Sequence, residues 1–332
     1  MSAQGVMQAV WPGQGGGPEA LVVGPRPIPQ AGAGQVLIET HFAGVNRHDV
    51  NQRARGKGPK DSTDILGLEV SGTIAAVGPG VTAFRRGDEV CALTDGGGYA
   101  QWVIAEAALV LPRPNALDMR EAAALPEALF TCWFNVVQLG RLQDGDWLLV
   151  HGGTSGVGSL TLQVARALGA KTIATAGSSA KCEAARAFGA HVAINYRTQD
   201  FVAEVASATA GRGVDVILDM AGGVYAERNL AALAMDGRIL HLASGLTPIW
   251  SVPLRLIMEK RAVVTGSLLR PLEIGRKAAI ASALQTRIWP LLGTAICPRI
   301  DTVLSLHEAK TAHARMESGE HIGKILLDCR SK

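Results

Sequence analysis

In the second half of the chain, short apolar runs alternate with segments whose apolar residues recur every three or four positions. The run at 147–150 is uninterrupted, as in a strand buried on two faces, and a glycine-rich turn follows it. Beyond the turn, Leu160, Val164 and Leu168 recur at helical spacing. Gly169 then ends the pattern. This pattern therefore predicts a strand, a turn and a helix in succession.

The same alternation continues, with short connections, through the next hundred or so residues. It predicts strands at 171–176, 191–196, 214–219, 237–243 and 262–268, and helices at 180–188, 201–209, 225–235 and 252–260. Strands that alternate with helices form parallel sheets, because each crossover returns the chain to the same end of the sheet. This pattern predicts a doubly wound α/β domain with a six-stranded parallel sheet.

The first third of the chain has a different pattern, in which glycine and proline separate short strands. Strands are predicted at 36–38, 70–77 and 89–93, a strand pair at 99–111, and one short polar helix near 48–55. These signals predict a small, mostly β domain. Helical periodicity then runs through 119–139, where Pro126 marks a break between two helices.

The end of the chain mixes helices and strands. An amphipathic helix is predicted around 280–288, and a last helix begins at a capping box of Ser305 and Glu308 and ends at Gly319. Because the parallel sheet is complete before this tail, the tail is expected to pack on the first domain. The predicted domains are 1–125, completed by 271–332, and 126–270.

The composition limits the classes of function. A chain of 332 residues, 48% hydrophobic and 18% charged, has the size of about two globular domains. Its net charge of +3 is spread along the chain without the basic block that binds nucleic acid. The most apolar window, 122–140, contains Pro126 and Glu127 and makes a poor membrane span. With five dispersed cysteines and no recognisable signal peptide, a cytoplasmic protein is expected.

The glycine-rich turn has the chemistry of a dinucleotide site. Residues 153–158 follow the G-x-G-x-x-G pattern, except that Ser155 replaces the second glycine. Between a parallel strand and a helix, small residues let a pyrophosphate approach backbone N–H groups and the positive end of the helix dipole. Because the strand and the helix are both predicted, the turn favours cofactor binding over a purely structural role.

The end of the next strand indicates which dinucleotide binds. NAD-specific sites place a carboxylate about twenty residues after the glycine turn, on the ribose 2′-hydroxyl. This chain has Ser178, Ser179 and Lys181 there, and no carboxylate. A charge-assisted hydrogen bond to a 2′-phosphate is worth roughly 1.5–3 kcal/mol, which predicts a preference for NADPH of about ten- to hundredfold or more. The alternative for Lys181 is a solvated charge on a helix.

The residues themselves do not indicate metal chemistry. A zinc-dependent site for hydride transfer needs several Cys, His or carboxylate ligands around one ion. The polar candidates in the first domain form no recognisable ligand pattern: His41, Asn46, His48, Asp49 and Glu69.

A family resemblance is carried by short motifs along almost the whole chain. They lie at 43–49, 66–72, 77–80, 86–90, 125–128, 153–158 and 322–325. In this order they resemble the medium-chain dehydrogenase/reductases, within them the zeta-crystallin-like NADPH:quinone oxidoreductases, and most closely the p53-inducible branch. The resemblance implies a GroES-like, mostly β catalytic domain and a Rossmann domain. Zinc alcohol dehydrogenases of the superfamily carry a cysteine at the position of Asn46 and a histidine at that of Leu68, so a zinc-free enzyme is implied.

The resemblance also implies site residues. Asn46 would lie beside the nicotinamide and Thr131 would bond its carboxamide, which makes these two the predicted catalytic residues. The predicted cofactor-binding set is Asn46, Thr131, Gly153, Ser155, Gly156, Val157, Gly158, Gly177, Ser178, Lys181, Tyr196, Ala243, Ser244, Ser267, Leu268, Leu269 and Lys324. A turn-capping amide is the alternative for Asn46, and Glu69 is expected to be a structural carboxylate rather than a general acid.

These observations predict an NADPH-dependent reductase that transfers hydride to quinones or related α,β-unsaturated carbonyls. Such electrophiles need orientation and hydrogen-bond donors more than a metal. The loop at 55–60 departs from the family, because it lacks an aromatic residue where close relatives carry a tyrosine. The alternatives are an NADPH-binding regulatory or RNA-associated protein with vestigial activity, and an enoyl-thioester reductase. The apolar strand at 262–268, at a predicted sheet edge, predicts a homodimer.

Overall fold

The computed structural model describes residues 5–58, 62–243, 245 and 247–331. The chain divides into two compact units. The first unit comprises Met1–Glu127, Glu273–Gly293 and Pro298–Lys332, and the second unit comprises Ala128–Leu272 and Thr294–Cys297. The domain limits expected from the sequence stay a prediction.

Strands form the framework of each unit. Those in the described ranges are β1 (Val6–Pro12), β2 (Leu21–Pro27), β3 (Gln35–Val45), β4 (Glu69–Val77), β5 (Glu89–Leu93), β6 (Trp102–Glu106), β7 (Val110–Pro112), β8 (Trp147–His151), β9 (Lys171–Ala176), β10 (Val192–Asn195), β11 (Val214–Asp219), β12 (Leu233–His241), β13 (Val263–Gly266), β14 (Ile300–Ser305) and β15 (Lys324–Asp328).

Helices connect these strands. The α-helices are α1 (Arg47–Arg55), α2 (Met119–Ala123), α3 (Pro126–Cys132), α4 (Gly156–Ala167), α5 (Ser179–Ala187), α6 (Phe201–Ala208), α7 (Ala226–Ala232), α8 (Leu254–Lys260), α9 (Ile274–Arg287) and α10 (Ala309–Ser318). A π-helical segment, Trp133–Leu139, continues from α3. Short 3₁₀ turns lie at Pro18–Ala20, Ala107–Leu109, Gly223–Tyr225, Trp289–Leu291 and Leu306–Glu308. Within the described ranges, no helix has the length and apolar character that crossing a membrane requires.

The first unit is built on a seven-stranded sheet in the order β14-β15-β3-β4-β5-β7, with β6 beside β3. Most of its pairs are antiparallel, and β1 and β2 form a separate hairpin. Val36, Ile38 and Ile74 are buried in the core between these strands. The strand β15 pairs with β3, with Leu326 opposite Gly44. The last strand of the tail thus pairs with a strand of the first third of the chain.

The second unit holds a parallel sheet in the order β10-β9-β8-β11-β12-β13. This order confirms the predicted doubly wound α/β domain with six parallel strands. Leu148, Leu149 and Val150 of β8 are fully buried, as expected for a central strand covered on two faces. The strand order reverses between β8 and β11, and ligands of such sheets bind where the carboxyl ends of the strands flank this point.

Some predicted element limits were wrong. The helix predicted at 225–235 ends at Ala232, and Met235 belongs to β12. The reason is pairing, because Leu233 lies opposite Val214 of β11 and this ladder ends the helix. The strands β1, β2 and β14 were not predicted. In β2, Gly24 and two prolines mask the strand signal.

Candidate active site

The glycine turn lies at the carboxyl edge of the parallel sheet in the second unit, between the end of β8 and the start of α4. Ser155 is the N-cap of α4, and its Oγ accepts a hydrogen bond from the N–H of Gly158 at 3.0 Å. This cap explains the serine in the glycine pattern, because serine is a preferred N-cap residue. A Cβ on Gly158 would lie 2.3 Å from the carbonyl oxygen of Gly152. Ser155, Gly156 and Val157 are half-buried at the N-terminus of the helix, where an anion fits.

The end of β9 carries polar groups suited to a phosphate. Ser178 is the N-cap of α5, and its Oγ accepts from the N–H of Lys181 at 3.3 Å. Tyr196 follows β10, and its hydroxyl lies so close to Gly177 that a Cβ there would approach it to 2.7 Å. The structure thus brings Gly177, Ser178, Lys181 and Tyr196 together at one strand end. No carboxylate occurs between Ala176 and Lys181.

Thr131 belongs to a second polar group in this unit. It is 8% exposed in α3, and its carbonyl oxygen accepts from Nδ2 of Asn135 at 2.9 Å. Oδ1 of Asn135 accepts in turn from Oγ of Ser267, just after β13, at 2.7 Å. Sequence reasoning missed Asn135, which lies in the π-helical segment, a feature common at functional sites.

The remaining positions predicted on the nicotinamide side differ in burial. Leu268 is 70% exposed, whereas Leu269 is buried, and Ala243 is exposed just after β12. Ser244 lies outside the described residues.

A buried polar network, which sequence reasoning missed, joins the carboxyl ends of four neighbouring strands. Nδ1 of His151 contacts Oγ1 of Thr175 at 3.0 Å, and Nε2 of His151 contacts Oδ1 of Asn229 at 2.8 Å. Nδ2 of Asn229 donates to Oδ2 of Asp219 at 3.0 Å, and Nδ1 of His241 contacts the same oxygen at 3.2 Å. The only sequence signal was the position of His151, Asp219 and His241 at or near the ends of predicted strands.

The electrostatics of this network keep Asp219 ionised. Burial alone would raise the pKa of Asp219, but the hydrogen bond from His241 and the N–H of Ala221 help to lower it below its ordinary value. Burial lowers the pKa of His151, which favours its neutral form. A carboxylate charge therefore lies beneath the carboxyl edge of the sheet, next to His241.

In the first unit, Asn46 lies in a buried charged cluster just before α1. Nδ2 of Asn46 donates to Oε1 of Glu69 at 2.9 Å, and Nζ of Lys324 donates to Oδ1 of Asn46 at 2.7 Å. Lys324 also forms a short ion pair with Glu69. The other oxygen of Glu69 accepts from the N–H of Glu127 at 2.9 Å. Glu69 and Lys324 are 0% and 3% exposed, so this pair is shielded from water and fixes the orientation of the Asn46 carboxamide.

A second chain of hydrogen bonds lies beside this cluster. The hydroxyl of Tyr99 donates to Oδ2 of Asp49 at 3.2 Å and lies 3.3 Å from Nε2 of His313. Nδ1 of His313 lies 3.4 Å from Nη1 of Arg53, and Nη2 of Arg53 pairs with Oε1 of Glu317 at 2.7 Å. Since Arg53 can only donate, Nδ1 accepts and Nε2 carries the proton. His313 is therefore held as a neutral imidazole.

Burial sets the titration of this chain of groups. It raises the pKa of Asp49 to about 6, although the N–H groups of Asn46 and Gly67 donate to its carboxylate. Burial, followed by the Arg53 charge, lowers the pKa of His313 to about 3.

Replacing His313 by glutamine is expected to remove an acid-sensitive part of the stability. An unfolded histidine has a pKa of about 6.5, so between about pH 6.5 and 3 the unfolded wild type binds a proton that the folded protein does not. The wild type thus loses stability as the pH falls through this window. Asp49 opposes this loss below about pH 6 in wild type and variant alike.

In urea denaturation, the free energy of unfolding of the glutamine variant, relative to wild type, should therefore rise by about 2 kcal/mol between pH 7 and pH 5. The same change at exposed His307 is the control and should show no such pH dependence. A difference between the His313 variant and the wild type that stays constant with pH would contradict the assignment.

In the described part of the chain, no group of three or more His, Cys, Asp or Glu side chains is placed to hold a metal ion. At the two positions where zinc alcohol dehydrogenases carry ligands, this chain has Asn46, whose amide is bonded to Lys324 and Glu69, and Leu68, which is buried. The ammonium of Lys324 supplies the positive charge of this cluster.

Together, the parallel sheet, the capped glycine turn at its switch point and the polar end of β9 define a Rossmann-type dinucleotide-binding protein with a GroES-like partner domain. Residues 32–115 match the family model of the alcohol dehydrogenase GroES-like domain, and residues 156–284 match that of the zinc-binding dehydrogenases. The chain belongs to the medium-chain dehydrogenase/reductase superfamily of oxidoreductases.

Curated relatives that align with this chain over nearly their whole length include quinone oxidoreductases. The quinone oxidoreductase of Rattus norvegicus is 31% identical over 333 aligned positions, which cover 98% of this chain and 99% of the relative. A mycocerosic acid synthase-like polyketide synthase of Mycobacterium tuberculosis is 31% identical over 306 positions, which cover 90% of this chain. The chain spans 14% of the length of that synthase.

Solved structures share the fold over nearly the whole chain. A mycobacterial protein complexed with NADPH has a TM-score of 0.85 and 28% identity, over 97% of this chain and 99% of the other. An NAD-dependent alcohol dehydrogenase has a TM-score of 0.85 and 30% identity, with the same coverage of each chain. The resemblance to the superfamily and its quinone oxidoreductases is confirmed, and the p53-inducible branch stays a prediction.

Proposed function

We propose that this oxidoreductase is a zinc-independent NADPH:quinone oxidoreductase, which reduces quinones or related α,β-unsaturated carbonyls. The observation that carries the cofactor choice is the end of β9, where Ser178, Lys181 and Tyr196 lie together without a carboxylate. A carboxylate there would repel the 2′-phosphate of NADPH, whereas hydroxyls and an ammonium bind it.

The residues present fit this cofactor. The N-terminus of α4, with Gly153, Ser155, Gly156, Val157 and Gly158, would hold the pyrophosphate, because its N–H groups and helix dipole favour an anion. When bound, NADPH supplies the hydride. Thr131 and Ser267 of the second unit stay proposed nicotinamide-binding residues, and Asn46 and Lys324 of the first unit stay proposed cofactor-binding residues.

Zinc independence is supported by the charges around Asn46. Nζ of Lys324 lies 2.7 Å from Oδ1 of Asn46 and pairs with Glu69. A divalent cation at this position would be repelled by the ammonium and would compete for the same oxygens. The cluster thus already contains the cation that its buried carboxylate requires.

Steady-state kinetics with NADPH and NADH against quinones, enones and enoyl thioesters test the proposal. We expect turnover of quinones or enones with NADPH in metal-free buffer. Replacing Lys181 by alanine should raise KM for NADPH roughly ten- to hundredfold, because one charge-assisted bond is lost, and should leave KM for NADH unchanged. The control is Lys310→Ala on the exposed face of α10, which should alter neither value.

Other outcomes would contradict this proposal in different ways. A preference of the wild type for NADH would refute the cofactor assignment. Turnover confined to enoyl thioesters would contradict quinone reduction and favour an enoyl-thioester reductase. Salt-dependent RNA binding without turnover of any electrophile would favour a regulatory protein.

We also propose a cytoplasmic homodimer that forms through β13. This strand lies at the edge of the parallel sheet, where unpaired backbone groups favour pairing with a second copy. Val263 in β13 and Leu268 after it are 48% and 70% exposed. Sedimentation that gives only the mass of one chain, 34.7 kDa, at micromolar concentration would refute the dimer. The free cysteines in the described chain are consistent with a reducing compartment.

A further inference from the structure

A cavity of about 390 Å³ lies at the carboxyl ends of β12 and β13 in the second unit. Its lining includes Gly222, His241, Thr247, Trp250, Ser267 and Leu268. The segment around Thr247 is held against the turn after β11, because the N–H of Gly223 donates to the carbonyl oxygen of Thr247 at 3.1 Å. The cavity is therefore bounded by hydrogen-bonded backbone, and it lies at the edge of the sheet where ligands of this fold bind.

Two nitrogen atoms of this lining lack a partner. Nε2 of His241 and Nε1 of Trp250 are buried and have no hydrogen bond to any of the residues that the structure describes. The two rings contact each other edge to face, with 5.9 Å between their centroids. Because a buried polar group without a partner is destabilising, such groups indicate a site that a ligand completes.

The opposite nitrogen of His241 is firmly held. Nδ1 lies 3.2 Å from Oδ2 of Asp219, which is fully buried. Asp219 is itself fixed by the N–H groups of Ala221 and Gly222, at 2.6 and 3.2 Å, and by Nδ2 of Asn229. A histidine oriented by a buried carboxylate through Nδ1 presents Nε2 as a proton-transfer group.

Several charged or titratable groups lie near His241. Asp219 carries a negative charge at hydrogen-bond distance. His151, on the neighbouring strand β8, is buried and contributes no hydrogen bond to Asp219 itself, since Asn229 lies between them. Arg228 of α7, the other nearby cation, is paired with Asp200 at 2.7 Å. The nearest charge to the imidazole is thus a carboxylate, which accepts the hydrogen bond from Nδ1 and leaves Nε2 facing the cavity.

We infer that His241 is the proton donor of the proposed reduction, with the indole N–H of Trp250 as a second donor to the same oxygen. This inference rests on the proposed function. As hydride adds to carbon, the π electron pair of the electrophile moves onto its oxygen. An O–H bond then forms with the proton of Nε2, whose N–H bond breaks. The neutral imidazole recovers a proton from solvent, so the hydride and the proton together complete a two-electron reduction of the electrophile.

Replacing His241 by asparagine tests this role. The Nδ2 of asparagine can still donate to Asp219, so the buried carboxylate keeps a partner while the proton at Nε2 is removed. We expect kcat to fall on the order of a hundredfold, with KM for NADPH unchanged. Imidazole added to His241→Ala should restore part of the rate.

A binding measurement provides a readout that needs no turnover. The probe is 4-nitrophenolate, an oxygen anion of suitable size whose absorbance reports its protonation. The wild-type chain should bind it roughly tenfold more tightly than His241→Asn, and binding should shift its absorbance toward that of the phenol. His307→Asn, an exposed histidine of the first unit, is the matched control and should behave as wild type in kinetics and binding.

These measurements distinguish a failure of the proposed role of His241 from a failure of the proposed function. Turnover by the wild type with an unchanged kcat in His241→Asn would overturn the role of His241 and leave the proposed function intact. Absence of turnover by the wild type would refute the proposed function. In that case, equal binding of 4-nitrophenolate by wild type and His241→Asn would overturn the site as well, whereas weaker binding by the variant would support it.

Discussion

Replacing Lys324 by methionine is expected to lower the free energy of unfolding of the first unit by about 3–5 kcal/mol. Lys324 and Glu69 are buried, and the ammonium donates to Glu69 and to Oδ1 of Asn46. Methionine fills the space but leaves an uncompensated carboxylate in a dry environment. Urea denaturation followed by circular dichroism measures the loss. The Asn46 carboxamide should also lose its fixed orientation, so kcat should fall in parallel.

Two further variants make this result interpretable. Arg255→Met breaks an ion pair with Glu259 at 2.7 Å, but Arg255 is 85% exposed, and the change should have little measurable effect. Adding Glu69→Gln to Lys324→Met removes the buried charge and should restore part of the stability. If Lys324→Met lowered the free energy of unfolding as little as Arg255→Met, Lys324 would not be needed to compensate the buried charge of Glu69.

Replacing Gly158 by alanine is expected to weaken NADPH binding by about a hundredfold, which corresponds to about 2.7 kcal/mol. The new Cβ would lie 2.3 Å from the carbonyl oxygen of Gly152 and 3.0 Å from Cα of Gly153. These are backbone atoms of the turn, so the turn must shift to accommodate the methyl group. The shift would misalign the N–H groups that hold the pyrophosphate, and each lost charge-assisted bond costs roughly 1.5–3 kcal/mol.

The control for this prediction is Gly275→Ala in α9. A Cβ at Gly275 meets no atom within 4 Å, so alanine should be tolerated, or should stabilise the helix by roughly 0.5–1 kcal/mol. Fluorescence titration with NADPH, together with the thermal midpoint of each variant, distinguishes lost affinity from lost folding. An unchanged Kd in folded Gly158→Ala would place the cofactor away from this turn.

Much of the second unit could be predicted because its signals are local. An uninterrupted run such as 147–150 and the helical spacing of Leu160, Val164 and Leu168 each report one element, and their alternation implies the parallel sheet. The glycine turn was visible in the same way, whereas the N-cap role of Ser155 emerged only from the structure. Where pairing partners compete with local periodicity, as at Leu233, the predicted limits were wrong.

The candidate site depends on contacts that no local pattern encodes. Nζ of Lys324 reaches Asn46 across 278 positions, because β15 pairs with β3. In the second unit, His241 meets Asp219 because the parallel register of β11 and β12 places them side by side.

The sequence by itself thus determined the architecture of the second unit, the glycine turn and the polar, carboxylate-free end of β9, because each arises from residues close together along the chain. Only the tertiary structure decided which polar side chains share a buried environment. Strand register and burial decided that Lys324 is the cation beside Glu69. They also left one nitrogen of His241 without a partner at a cavity, because desolvation and pairing are properties of the packed chain.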